Sequence, residues 1–201
     1  MIGFAELIRR YRTAVEEGSE HRLPPLNPPA TEQDLVDAEQ ALGQTLPEEV
    51  RELWSVSNGG ESLFNEDFYP VSQFVEHTEE TKLHWANALA EFIEPGEDGA
   101  VPPGAYVAVA HPDASMVTVD LGGPGPHPVR GIDLTFMSEP AWAPLVPSLE
   151  AFARFWVDMA EAGYMKLLHP RHLLYGYTVV RRECIEDAQP IARRYDIVRL
   201  V

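Results

Sequence analysis

TEQDLVDAEQALGQTLPEEVRELWSVSNGG, residues 31–60, holds two complete helix signals back to back and a turn that ends them. Thr31 stands where an N-cap belongs, and Asp34, three residues on, favours a helix start electrostatically. Leu35, Ala38 and Leu42 follow at helical spacing, and Gly43 offers a left-handed stop. Pro47 then supplies the preset φ of a first helical position, with Glu48 and Glu49 in the first turn. Val50, Leu53 and Trp54 make a second apolar stripe. Asn58, Gly59 and Gly60 can take the positive φ angles that let the chain leave that helix sharply. Residue by residue, this stretch is caps and core rather than chemistry.

Upstream, Phe4, Leu7, Ile8, Tyr11 and Val15 recur at helical spacing and predict an amphipathic first helix over residues 2–17. Four prolines between Gly18 and Ala30 (Pro24, Pro25, Pro28, Pro29) then make an extended connection. Downstream of Gly60, a short strand is expected to end near Tyr69 and Pro70. Phe74, Thr78, Trp85, Leu89, Phe92 and Ile93 indicate one or two helices, and residues 94–104 a loop. Ala105–Ala110 and Met116–Leu121 read as a β-hairpin, placing Val107, Val109, Val117 and Val119 in adjacent buried rows. Val129, Ile132, Leu134 and Phe136 suggest a third strand. Ser148 caps another helix whose buried face runs from Leu149 to Ala160, and Gly163 ends it. Beyond that, residues 177–180 read as strand, residues 180–195 as a helix interrupted by Pro190, and residues 197–200 as a final short strand. Helices and strands segregated in this way predict an α+β fold, a largely antiparallel or mixed sheet with helices packed against it.

Charge is unevenly placed along the 201 residues. Residues 31–161 carry 24 Asp and Glu against four Lys and Arg, a net −20, while the flanks together carry +3. A field of that sign repels nucleic acid and anionic membrane and speeds encounter with a basic partner. No apolar run is long enough to span a bilayer, and no basic N-terminus leads an apolar stretch, so a cytoplasmic protein is expected. The single Cys184 excludes an internal disulfide framework and reads as a small core residue.

Catalytic signatures are missing. None of the seven histidines makes a His-x-x-x-His pair on a convincing helix, so no metal site is expected. There is no Gly-x-Ser-x-Gly elbow, and Gly122–Pro126 lacks the spacing and following helix of a phosphate loop. No cofactor is expected either. The paired arginines Arg181-Arg182 and Arg193-Arg194 read as snorkelling from a helix or pairing with the acidic body.

The Leu42-Gly43, Leu46-Pro47 and Asn58-Gly59-Gly60 block resembles the opening of the SUKH superfamily, the Smi/Knr-like domains. A later strand ending in Asp120-Leu121 and a helix start at Pro147–Phe152 are similar too. Where many relatives carry Gly-Asp ahead of that strand, this chain has Ala114-Ser115-Met116. The resemblance implies a domain over residues 25–160, preceded by a helix and linker (1–24) and followed by an extension (161–201). It also implies a noncatalytic interaction module, either an immunity protein that binds a basic toxin domain of nuclease type or a regulatory scaffold with no toxin partner. The acids expected in loops, Glu94, Glu97, Asp98, Asp113 and Glu139, are the candidate partner-binding residues.

Overall fold

The computed structural model describes residues 2–64, 66–92, 106–111, 115–122, 125–133, 144–167 and 178–195. Helix α1 (Phe4–Glu16) buries Phe4, Leu7, Ile8, Tyr11 and Val15, the stripe its spacing predicts. Helix α2 (Glu32–Leu42) starts in a full capping box: the Asp34 amide donates to the Thr31 hydroxyl at 3.2 Å and the Thr31 amide to the Asp34 carboxylate at 2.8 Å. Gly43 closes it at φ 69°. Leu42 is only half-buried, whereas Leu46 is fully inside.

Helix α3 (Glu48–Val56) begins one residue later than the sequence reading placed it. Pro47 is its N-cap, in extended conformation, and Glu48 is the first helical residue. Its carboxylates then serve other helices. Glu52 accepts the Phe4 amide at the start of α1 at 3.2 Å, and Glu49 accepts the Glu150 amide at the start of the fifth helix at 2.9 Å. Each satisfies a first-turn N–H that its own helix cannot.

Residues 60–69 form two strands, not one. Strands β1 (Gly60–Leu63) and β2 (Glu66–Phe68) pair antiparallel through an irregular register. A single 3₁₀ turn (Val71–Gln73) leads into α4 (Phe74–Phe92), one continuous helix of 19 residues. Strands β3 (Tyr106–His111), β4 (Ser115–Asp120), β5 (Val129–Asp133) and β6 (Pro144–Val146) complete a six-stranded antiparallel meander in sequence order. Val107 pairs with Val119 and Ala110 with Val117, and the bulge between them lies at Val109. Its carbonyl accepts the Tyr69 amide at 2.9 Å. Where β2 stops short, the buried Thr78 hydroxyl of α4 accepts the Ala108 amide at 3.0 Å and continues the edge of β3. The third expected strand ends at Asp133; Leu134 and Phe136 lie outside the described residues.

Helix α5 (Leu149–Glu161) is capped by Ser148, whose hydroxyl accepts the Ala151 amide at 3.1 Å. Strands β7 (Met165–Leu167) and β8 (Thr178–Val180) pair as a separate ribbon, and α6 (Ile185–Arg194) follows with Pro190 inside it. Residues 197–200 lie outside the described residues. Cys184, read as core, is half-buried at the entry to α6, where the backbone leaves a short 3₁₀ turn.

A seam of aromatic rings holds these elements together. Phe74 meets Trp54 at 4.9 Å between centroids, Trp54 meets Phe68 at 5.6 Å, and Phe68 meets Phe152 at 6.4 Å. Phe152, Trp156, Phe155 and Tyr195 extend it into α6. Such edge-to-face pairs each add about 0.5–1.5 kcal/mol beyond the area they bury. Tyr11 joins the same core against Phe64 at 5.8 Å, so α1 shares one interior with the sheet.

Candidate functional site

Asn58 ties together three segments of the molecule. Its amide donates to the Pro28 carbonyl at 3.0 Å, its side-chain oxygen accepts the Val71 amide at 2.8 Å, and its carbonyl accepts from Asn27 Nδ2 at 3.1 Å. One asparagine therefore ties the proline-rich connection to the turn that opens α4. Gly59, at φ 66°, makes this possible: a Cβ there would lie 2.5 Å from the Phe68 carbonyl oxygen. Trp54 reaches the same place from below, its Nε1–H donating to the Tyr69 carbonyl at 2.8 Å.

The result is a groove of about 690 Å³ between the connection and the β1–β2 ribbon. Pro24 and Pro25 of the connection, Glu61 and Asp67 of the ribbon, and Tyr69 and His77 are among its lining residues. The Tyr69 and His77 rings stack at 3.7 Å between centroids and 15° between planes. His77 Nδ1 lies 3.0 Å from Glu80 Oε2. Burial, with the Glu80 charge adding to it, pushes the Tyr69 hydroxyl up to about 12, so it stays protonated across the physiological range. Among the described residues no Lys or Arg lines this groove.

A second groove, of about 990 Å³, lies between α1 and the α5–β7 corner. Here cations and anions alternate and engage one another. Arg10 holds Glu161 through two bonds at 2.7 and 2.6 Å, Arg9 holds Glu6 at 2.5 and 2.7 Å, and Arg181 holds Glu183 at 3.1 Å. The Arg10 guanidinium keeps the Glu161 carboxyl below its usual range.

Asp120, part of the sequence motif, is buried and structural in its contacts. One oxygen accepts the Gly122 amide at 2.8 Å, the other lies 3.3 Å from Arg130, and its backbone carbonyl meets His127 Nδ1 at 2.8 Å. It fastens the connection between β4 and β5. Of the other motif residues, Leu46, Pro47, Asn58, Gly59 and Gly60 converge on the α3 ends, while Leu42 and Gly43 close α2. Glu94, Glu97, Asp98, Asp113 and Glu139 lie outside the described residues. Glu61 and Asp67 were missed by reading loops alone; their signal is the alternation of short strands, with Glu66 and Phe68 inside and Asp67 out.

Among the described residues no group of three or more His, Cys, Asp and Glu could hold a metal ion, and no helix is long and apolar enough to cross a membrane. Of the paired arginines, Arg194 meets Asp158 of the acidic body at 2.8 Å, whereas Arg181 meets Glu183 of its own segment at 3.1 Å.

A family model described as SMI1 / KNR4 family (SUKH-1) matches residues 29–154, more than half of the chain. That span runs from the proline-rich connection into α5 and contains the whole Leu-Gly to Asn-Gly-Gly block. No curated protein matches the chain.

Proposed function

Because the chain belongs to the SMI1/KNR4 family (SUKH-1), a family of immunity and regulatory modules, we propose that it is a noncatalytic immunity protein that binds and neutralises a cognate toxin. The toxin is a basic domain, of nuclease type, met in the cytoplasm without nucleic acid, membrane or cofactor. The interaction domain spans residues 25–160, with residues 1–24 and 161–201 packed on it. The observation that carries this reading is charge: residues 29–154, the matched span, carry 22 Asp and Glu against four Lys and Arg, a net −18, while the rest of the chain carries +1. A nuclease has a cationic cleft for its phosphate substrate, and an acidic protein that fills it gains association rate and partner choice from complementary charge. Glu61 and Asp67 on the β1–β2 ribbon contribute to that surface, and the loop acids Glu94, Glu97, Asp98, Asp113 and Glu139 extend it by their place in the sequence.

Co-expression tests the proposal. A toxin encoded beside this gene should lose its lethality when the protein is present, and the complex should associate several-fold more slowly in high salt. If the neighbouring toxin kills equally well, the immunity role is wrong and the regulatory scaffold takes its place.

A further inference from the structure

No further inference is drawn: the strongest candidate, the groove of about 990 Å³ between α1 and the α5–β7 corner, carries nothing because its Arg9, Arg10 and Arg181 are each held by a carboxylate of the same chain and nothing in the structure shows what covers it.

Discussion

The two grooves differ in how their charges are used. The larger one, between α1 and the α5–β7 corner, is lined by residues outside the span that the family model matches, and its arginines face carboxylates of the same chain. The smaller one is lined by residues from Pro24 to His77, on elements of the matched span and the connection just before it, with Glu61 and Asp67 and, among the described residues, no Lys or Arg lining it. The first is a seam where Arg9, Arg10 and Arg181 are each held by a carboxylate of the same chain. At the second, the Glu61 side chain makes no hydrogen bond or ion pair among the described residues. Net charge alone does not say which carboxylates are engaged.

The largest expected effect tests whether the flank is part of the body. Leu7 of α1 is fully buried, so Leu7→Ala should cost about 3–4 kcal/mol and lower one cooperative transition in chemical denaturation. Two separate transitions, with the second unmoved, would make the flank an independent attachment and the larger groove a boundary between units. Next in size is Gly59→Ala, at the foundation of the smaller groove. The left-handed φ costs roughly 1 kcal/mol for any L residue, and a Cβ 2.5 Å from a backbone oxygen forces a shift on top of it, for a total of about 2–3 kcal/mol. Loss of the Tyr69–His77 contact in that variant, seen as altered ring signals, would show that Gly59 sets the groove's shape and not merely a turn.

Much of this fold was legible because local chemistry determined it. Thr31, Gly43, Ser148 and Gly163 mark helix ends by their side chains or backbone freedom, and Val107, Val119 and Val129 mark the sheet by alternation. What escaped was made by distance or by brevity. β6 and β7 are three residues long, too short for a period to register, and the β1–β2 ribbon turns at Phe64 with φ 48° where no glycine advertises it. Pro47 looked like a first helical residue since its fixed φ suits that place, yet its ψ of 149° makes it the cap. The smaller groove could not be read at all, because its lining residues Pro24 and His77 lie far apart in sequence, and the bonds of Asn58 to Asn27, Pro28 and Val71 that hold the connection near the start of α4 are set by packing. Glu49 looked like a first-turn acid of its own helix and Glu52 carried no signal at all, and only packing reveals that they accept the first-turn amides of α5 and α1.

A smaller effect probes the support behind the smaller groove. Helix α2 packs on the 3₁₀ turn and on α4, the helix that carries His77. Thr31→Ala removes half of its capping box and should cost about 1 kcal/mol in thermal unfolding. Thr31→Ser keeps the hydroxyl and should restore the loss; failure to do so would assign the effect to the methyl group's packing.

The smallest effect concerns the larger groove and decides whether its charges are spent as argued. The two-bond contact between Arg10 and Glu161 joins α1 to α5, but the Glu161 side chain is 42 % exposed and Arg10 27 %, so solvent screens most of its strength. Arg10→Met, which keeps most of the aliphatic stem, should lower stability by about 0.5 kcal/mol or less and the melting midpoint by roughly 1–2 °C at low salt. The Glu161 carboxyl is held below its ordinary value by the Arg10 hydrogen bond, so the folded state binds its proton less readily than the unfolded chain does. The contribution is therefore present in full above the unfolded carboxyl range and disappears as pH falls through the lowered folded value. Melts of the two proteins should differ at pH 7 and converge below about pH 4. A difference that persisted in acid would mean that Arg10 acts through packing of its stem, and that the larger groove's charge is not consumed by this pair.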